Sequence, residues 1–496
     1  MNTQRIFSDY EVVIGLEVHV HLDTEAKLFT SCPVSYGAEP NTRVSEVCLA
    51  LPGTLPVISE RAVDRAVRAA LVTQCKVHPI SVFARKHYFY PDLPKGYQIS
   101  QFEEPLATGG HIEISDPEDA SRHLRIGLTR IHIEEDAGKS IHDQALAGSE
   151  VTLIDLNRAG VPLIEIVSEP DLRSPEEAVT YLRTLHRILR YVDVSNVDME
   201  KGQFRCDANI SLRPHGEVRF GTRTELKNLN SFRSVQSALH AEIIRQAELL
   251  EGGGEVVQAT MGYDADRDRV FVMRLKENAD DYRYFPDPDL IPLRLSPTRI
   301  DEIRDSLPEL PIERRDRFCN LFGLSTYDAE VITSSRPLAD FFEDVLAIGG
   351  ETADFAKTVS NWIQRDVLGA LRDRDLDIET SSLTPDALVE LLRMVEVRRV
   401  TVKSARDLIC ELVVSGGNPE DLVEQRGLEA VSDSSILDTV IQEVVSENPD
   451  AISSYHAGEE KSLNFLMGQV MRKTKGKAEA SAVRTFLIEK LKVGPT

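Results

Sequence analysis

A chain of 496 residues is too long for one ordinary domain, and its hydrophobic content of 42% is enough for more than one core. The net charge of -24 repels phosphate at long range and disfavours non-specific nucleic-acid binding, although a local basic patch stays compatible with it. No stretch approaches the roughly 20 apolar residues of a membrane helix, and no secretory or organelle pattern is present, so we expect a cytoplasmic protein without membrane association. The six cysteines are scattered without a C-x-x-C pair, which predicts reduced thiols.

The first predicted strand, VVIGLEVHVHLD at residues 12–23, carries polar side chains at every second position. Because strand side chains alternate between faces, Glu17, His19 and His21 would line one face and apolar residues the other. A solvated face explains this alternation on its own. Further strands are predicted, in chain order, at HIEIS, RIGLTRIHIEE, VTLIDL, PLIEIVS, FRCDANISLR and RVFVMRL.

Two predicted helices interrupt these strands. One begins with the cap Ser174, with Glu177 completing a capping box, and the other begins near Ser231 and ends at Gly252. Because few strands are joined by regular helical crossovers, a mixed α+β arrangement is favoured over a doubly wound sheet.

The second half of the chain is predicted to be helical. It begins at the cap Ser296 with Pro297 and contains a break at Gly416-Gly417-Asn418-Pro419. We therefore predict an α+β chain with a mixed-sheet N-terminal catalytic (cradle) domain over 1–295. An all-α helical domain over 296–409 and a small helical tail domain over 410–496 would follow it.

Several carboxylates lie on apolar strands, where an isolated buried charge is costly. Glu165 stands between two isoleucines, and Glu134, Glu135 and Asp136 end another strand. Together with His19 they suit a hard divalent cation, Mg²⁺ or Mn²⁺ more than Zn²⁺, and such a cation usually acts on phosphate. No phosphate loop or dinucleotide fingerprint is present, so any ATP would be bound by the metal and by scattered cations.

The chain resembles the B subunit of the aspartyl/glutamyl-tRNA amidotransferases over essentially its whole length. The resemblance rests on motifs in the same order, among them IGLEVHVHL, YGAEPNT, LALPGTLPV, KHYFYPDLPKGYQISQ, IHIEEDAGKS, DLNRAGVPLIEIVSEPDLRSP, RCDANISLRP, TELKNLNSF and DDYRYFPDPDL.

The resemblance implies an activity and partners. The family's enzyme phosphorylates the side-chain carboxylate of Glu-tRNA(Gln) or Asp-tRNA(Asn) with ATP, and ammonia then displaces the phosphate. An amidase, the A subunit, supplies the ammonia, and a small C subunit joins the two. Which misacylated tRNA is the natural substrate, or whether both are, stays open.

The family's functional residues can be carried over by motif. As metal ligands for Mg²⁺, with Mn²⁺ as an alternative, the resemblance implies Glu17, His19, Glu135 and Glu165. Lys86 is implied in catalysis or ammonia gating, and Glu165 also counts as catalytic. Candidates for nucleotide or second-metal contacts are Asp207, Asn209, Glu225 and Arg158.

The chain departs from the family pattern in two respects, at a zinc-binding segment and at His21. Many relatives have zinc-ligating cysteines around the YGAEPNT loop, but the matching places here are Thr30, Cys32, Ser45 and Cys48. With half of the thiolates missing, we predict no zinc. His21 stands where relatives commonly have Glu or Gln, so it is not counted as a ligand.

Two alternatives to an enzyme of this kind are a non-catalytic tRNA-binding scaffold and a stand-alone metal-dependent phosphohydrolase. The first would not need the strand carboxylates, and the second leaves the helical tail unexplained. Residues 458–496 carry eight Lys or Arg and four Glu, a charge of +4 against -28 for the rest of the chain. A solvated helix pair is the simpler explanation of this segment; we predict that it contacts tRNA.

Overall fold

The alternation in VVIGLEVHVHLD produces an amphipathic strand, as predicted. A computed structural model describes residues 3–119, 122–141, 151–275, 282–429, 434–474, 478 and 480–492. In it, Leu16, Val18 and Val20 are buried, while Glu17 and His19 between them are partly exposed on the other face. The chain divides into two units, Met1–Leu310 and Pro311–Thr496.

The first unit is built mainly from strands. Its helices are α1 (Thr3–Asp9), α2 (Glu60–Val72), α3 (Pro175–Tyr191), α4 (Phe232–Glu251) and α5 (Pro297–Asp305). Its strands are β1 (Tyr10–His21), β2 (Lys76–Val77), β3 (Ile80–Ser81), β4 (Ala84–His87), β5 (Tyr97–Ser100), β6 (Ala107–Thr108), β7 (His111–Ser115), β8 (His123–Glu135), β9 (Lys139–Ile141), β10 (Leu153–Asp155), β11 (Pro162–Ser168), β12 (Phe204–Pro214), β13 (Thr224–Leu229), β14 (Ala259–Asp264), β15 (Arg269–Leu275), β16 (Phe285–Pro286) and β17 (Leu293–Arg294).

A ten-stranded sheet dominates this unit, in the order β15-β14-β13-β12-β1-β11-β8-β6-β2, with β7 also paired to β8. The pair β13–β14 is parallel and the pairs around β1 are antiparallel, so the predicted mixed sheet is confirmed. Apolar residues of the sheet and of α3 and α4 share one core. The opposite face of the central strands is left for polar side chains.

The predicted helix caps are confirmed. The hydroxyl of Ser174 accepts a hydrogen bond from the Glu177 backbone N–H, and Ser231 caps α4 in the same way. The Glu177 carboxylate accepts from the backbone N–H of Arg173 at 2.7 Å, one residue before the position expected for a capping box. Ser296 caps α5 as predicted.

The second unit is helical in the part that the structure describes. It contains α6 (Pro311–Phe322), α7 (Thr326–Ile332), α8 (Arg336–Gly349), α9 (Ala353–Trp362), a π-helical turn (Ile363–Val367), α10 (Leu368–Arg372), α11 (Pro385–Glu396), α12 (Val402–Ser415), α13 (Pro419–Arg426), α14 (Ser434–Glu447), α15 (Pro449–His456), α16 (Glu460–Lys473) and α17 (Ala480–Lys492). Helices α6 to α13 share one core, and α14 to α17 share another. No helix among the described residues has the length and apolar character to cross a membrane.

The structural divisions differ from the domain boundaries expected from sequence. Ile303 of α5 packs into the core of the first unit, which therefore continues to Leu310 instead of ending at 295. The expected boundary between 409 and 410 falls inside α12, where Leu408 and Leu412 belong to the same core. The Gly/Pro signals mark loops correctly, but burial decides which neighbouring helix belongs to which core. As functional divisions, the three domains stay a prediction.

Candidate metal centre

Three side chains from neighbouring strands converge on the polar face of the large sheet. The Nε2 atom of His19 lies 3.3 Å from Oε2 of Glu165 and 3.9 Å from Oε1 of Glu134. One ligand atom from each of the three residues falls within 4.8 Å of the other two. This set is the candidate metal centre. It is formed by the adjacent strands β1, β11 and β8.

His132 lies beside the candidate metal centre and is buried. Its Nε2 is 3.4 Å from Glu165 and 3.5 Å from Glu134. Burial alone would lower the pKa of His132, but the two carboxylates raise this pKa to about 9. The charged imidazole in turn holds the pKa values of Glu165 and Glu134 below the ordinary range, against the opposing effect of burial. Its Nδ1 is buried and has no hydrogen-bond partner among the residues that the structure describes.

Glu135, a predicted metal ligand, is not brought to this centre. Its carboxylate pairs with the ammonium of Lys95 and accepts a hydrogen bond of 2.9 Å from the backbone N–H of Ile99. Alternation along β8 explains the difference, because Glu134 shares a face with His132 whereas Glu135 points to the opposite one. The motif match does not separate two adjacent glutamates. The period of the strand is the signal that could have identified Glu134 and His132.

Glu17 lies on the same face, in a second group of polar residues across β1, β12 and β13. The amide of Asn209 donates a hydrogen bond of 2.8 Å to Glu17. Lys227 pairs with Asp207 at 2.6 Å and with Glu225 at 3.4 Å. Burial and the nearby Glu165 carboxylate both raise the pKa of Glu17. Of the predicted nucleotide-contacting residues, the structure thus brings Asp207, Asn209 and Glu225 together.

Arg158 belongs to a third group, centred on Asp136. The Asp136 carboxylate contacts His21 at 2.6 Å, Arg205 at 2.9 Å and Arg158 at 3.3 Å. Burial opposes ionisation, but these cations lower the pKa of Asp136 far below its usual range. His21, set aside as a ligand from sequence, therefore serves as a hydrogen-bonding partner of this carboxylate.

Lys86, on β4, is near enough to the candidate metal centre for the charges of Glu134 and Glu165 to act on it. Its ammonium is 5.2 Å from the centre of the Tyr282 ring. Burial opposes its charge, yet the carboxylates of Glu134 and Glu165 raise the pKa of Lys86 well above the ordinary value. A fixed positive charge thus faces the two acidic members of the centre.

The segment in which zinc-ligating cysteines were considered is held by a buried lysine. The Lys27 ammonium donates to the carbonyls of Arg43 at 2.7 Å and Ala159 at 2.6 Å. It also lies 3.4 Å from Sγ of Cys48, to which the Ser45 hydroxyl donates at 3.3 Å. The Lys27 ammonium therefore lies next to the Cys48 sulfur, where a zinc ion bound by this cysteine would have to lie. All six cysteines of the chain are free.

The class of protein follows from comparison with known families. Residues 12–301 match the family model of the GatB/GatE catalytic domain, and residues 340–491 match that of the GatB domain. The B subunit of the aspartyl/glutamyl-tRNA(Asn/Gln) amidotransferase of Oleidesulfovibrio alaskensis is 51% identical over 98% of this chain and 100% of its own length. That of Moorella thermoacetica is 50% identical over 97% of this chain and 100% of its own length.

Agreement at this level over nearly the full length of both chains identifies the family. The chain belongs to the aspartyl/glutamyl-tRNA(Asn/Gln) amidotransferase B subunits.

Proposed function

We propose that this chain activates the side-chain carboxylate of Glu or Asp misacylated on tRNA by phosphoryl transfer from ATP, and directs its amidation by ammonia. The observation that carries the proposal is the convergence of His19, Glu134 and Glu165 on one face of the sheet, where the charges of the two carboxylates act on the Lys86 ammonium. A carboxylate is a poor electrophile, and its phosphorylation creates a leaving group that ammonia can displace. This chemistry requires charge neutralisation around phosphate and a site that excludes water.

The donor set fits a hard divalent cation. One imidazole nitrogen and two carboxylates, held on adjacent strands, suit Mg²⁺ or Mn²⁺. We assign His19, Glu134 and Glu165 as the holding residues, with Glu17 contributing from the same face, and Glu134 replaces Glu135 of the motif-based set. When bound, such a cation supplies positive charge that lowers repulsion between phosphoryl oxygens and an anionic nucleophile.

The chain's own cations would complete this neutralisation. Lys86, facing Glu134 and Glu165, would contact the anionic substrate groups at the centre. Lys227 is half-buried between Asp207 and Glu225, and Asn209 orients Glu17. We therefore assign the second group to nucleotide phosphates through Lys227. The carboxylates of Asp207 and Glu225 would hold the Lys227 ammonium in place.

Arg158 and Arg205 would act one step further away. Both guanidinium groups neutralise Asp136, which holds the imidazole of His21 on the strand that also carries Glu17 and His19. The nucleotide contact predicted for Arg158 stays a prediction. Because both arginines contact Asp136, which bonds to His21 of β1, we assign them the role of holding β1 in position.

Partner proteins follow from the chemistry and from the relatives' names. The relatives are named as the B subunit of an amidotransferase, which supports a complex of several subunits for this chain as well. We infer that an amidase, the A subunit, supplies ammonia, that a small C subunit joins the two, and that misacylated tRNA(Gln) or tRNA(Asn) is the macromolecular substrate. A non-catalytic scaffold would have no use for two buried carboxylates beside two histidines, since such burial costs free energy.

The test is Glu17→Ala in the complex assembled with its partner subunits. We expect ATP-dependent amide formation on charged tRNA to fall by at least about 100-fold, the scale of losing one electrostatic contact in a transition state. The control is Glu113→Ala, which removes an exposed carboxylate from β7 of the same sheet. Full activity of Glu17→Ala would contradict the proposal. ATP hydrolysis that needs neither tRNA nor partners would instead favour a phosphohydrolase.

A further inference from the structure

Two segments have similar sequences, HYFYPDLPKGYQ (87–98) and DYRYFPDPDLIP (281–292), and the structure, which describes the second from residue 282 onward, places them side by side. Strand β4, which leads into the first loop, pairs antiparallel with β16 in the second. The rings of His87 and Phe285 stack at 5.0 Å, and Arg85 bonds to Asp287 at 2.9 Å across the same junction. The two loops therefore form one surface, and the proposed function uses none of its rings.

Six rings of these loops make what we call the aromatic collar, defined as Tyr88, Phe89, Tyr90, Tyr282, Tyr284 and Phe285. Four of its rings, those of Tyr90, Tyr88, Tyr282 and Tyr284, contact one another in that order. Tyr88 lies 5.8 Å from Tyr90 and 6.4 Å from Tyr282, and Tyr282 lies 6.2 Å from Tyr284. Tyr284 in turn stacks on Phe102 with centroids 4.2 Å apart and planes 5° apart. Several aromatic faces are thus presented in succession.

One end of the collar adjoins the candidate metal centre and the other end is open. At the inner end, the Lys86 ammonium lies over Tyr282. Tyr284 stacks on Phe102, whose carbonyl accepts a hydrogen bond of 3.3 Å from Arg130 of β8, the strand that also carries Glu134. At the outer end, Phe89 is 77% exposed and Tyr90 55% exposed.

Exposed rings interleaved with cations are typical of surfaces that bind single-stranded nucleic acid. Bases stack on aromatic faces, and Lys or Arg groups near the rings attract the backbone. In the collar, Lys86 supplies a cation at the inner end. A row of rings also exceeds what a single free nucleotide can use, because ATP presents only one base.

We propose that the aromatic collar binds the unpaired 3′-terminal bases of the tRNA by stacking. This inference rests on the proposed function, since the amino acid to be amidated is esterified to the terminal ribose. The bases next to that ribose must lie beside the centre when the side-chain carboxylate reaches it. The collar is the aromatic surface in that position among the described residues.

The experiment measures affinity of the assembled complex for uncharged tRNA(Gln), intact or lacking its last three nucleotides. The variants are Phe89→Leu and Tyr90→Leu, singly and together, with Tyr90→Phe as the conservative change. The double variant should bind intact tRNA about 10-fold more weakly, as expected for losing base stacking. It should bind the truncated tRNA like the unaltered complex, and Tyr90→Phe should bind both normally. Tyr327→Leu, which removes a ring that is 71% exposed in the second unit, is the control.

Three results would overturn the inference. One is an equal loss of affinity for both tRNAs, another is no loss for either, and the third is a raised KM for ATP with unchanged tRNA binding. Circular dichroism of each variant checks that the fold is retained. Because uncharged tRNA undergoes no chemistry, this measurement can fail while the amidation proposal holds, and the reverse is also possible.

Discussion

His19 and Glu165 face each other directly across the antiparallel pair β1–β11, with Nε2 and Oε2 3.3 Å apart. Their contact is therefore a consequence of strand register. A slip of either strand by one residue would turn that strand's polar side chain to the apolar face and separate the pair. On its other side Glu165 faces His132 of β8, so two registers together build the centre.

The charge of Lys86 should speed amide formation and weaken the binding of a divalent cation. Its ammonium faces Glu134 and Glu165, so Lys86→Met should tighten Mn²⁺ binding while lowering the rate of amide formation by roughly 10- to 100-fold. Titration of Mn²⁺ and a single-turnover assay on the same preparation measure both quantities. Lys86→Arg, which keeps the charge, should bind Mn²⁺ like the unaltered chain. Weaker Mn²⁺ binding by Lys86→Met would contradict this account.

The purified protein should contain no stoichiometric zinc. The Lys27 ammonium beside Cys48 repels a second cation, and Thr30 and Ser45 stand at the other two matching positions. Elemental analysis after dialysis without chelator measures this directly. One zinc atom per chain would show that the remaining thiols suffice and that Lys27 moves aside.

The stability of the second unit should depend on the charge of Glu343. Its carboxylate accepts hydrogen bonds from Arg317 at 2.7 Å and Arg314 at 2.8 Å, and these lower the pKa of Glu343 against the effect of burial. Because the folded-state pKa is depressed, the stabilisation is present above the unfolded pKa of about 4.3 and is lost as pH falls through the folded pKa.

Glu343→Gln should therefore lower the free energy of unfolding by about 2 kcal/mol at pH 7. The difference in the free energy of unfolding between Glu343→Gln and the unaltered chain should shrink as the pH falls below the unfolded-state pKa of about 4.3. Urea unfolding followed through the fluorescence of Trp362, the only tryptophan, reports on this unit. Glu351→Gln, at an exposed position of the same unit, is the control. A difference that is constant from pH 7 to pH 3 would contradict the assignment.

The predicted tRNA contact of residues 458–496 is better tested by charge than by deletion, because α16 and α17 supply part of a core. Neutralising the exposed Lys461, Arg472 and Arg484 should weaken tRNA binding and reduce the slope of log Kd against log salt by roughly 0.7 to 0.9 for each phosphate that is no longer neutralised. Lys473 and Lys490 already pair with acidic residues of α14. Neutralising these two should change the slope less. Equal slopes for all variants would exclude the contact.

Much of the fold could be predicted because local signals and burial agree. The alternation of β1 and the capped starts of α3 to α5 follow from side-chain period and cap chemistry alone. The boundary between the two units after Leu310 could not be predicted, because it depends on the packing of Ile303 into the core of the first unit.

The sequence predicted the type of site, a cation held by carboxylates and a histidine, better than it predicted which residues form it. Glu17, His19 and Glu165 share a face, as their motifs implied. The period of β8 puts Glu134 on one face with His132 and Glu135 on the other, and the pairing register then shows that the face with His132 is the one that meets Glu165. The role of His132 required knowing that three strands are adjacent. The collar required the pairing of two loops about 200 residues apart, which no local pattern encodes.

The most direct test of the central claim is an Mn²⁺ titration, followed by electron paramagnetic resonance, of the unaltered chain and of the neighbouring variants Glu134→Gln and Glu135→Gln. Both substitutions remove one charge from adjacent positions of β8, and circular dichroism checks that both variants are folded. We expect Glu134→Gln to weaken Mn²⁺ binding by at least about 10-fold, as for loss of a ligand, and Glu135→Gln to bind like the unaltered chain. Loss of Mn²⁺ binding in Glu135→Gln with full binding in Glu134→Gln would contradict the assignment of the centre to His19, Glu134 and Glu165.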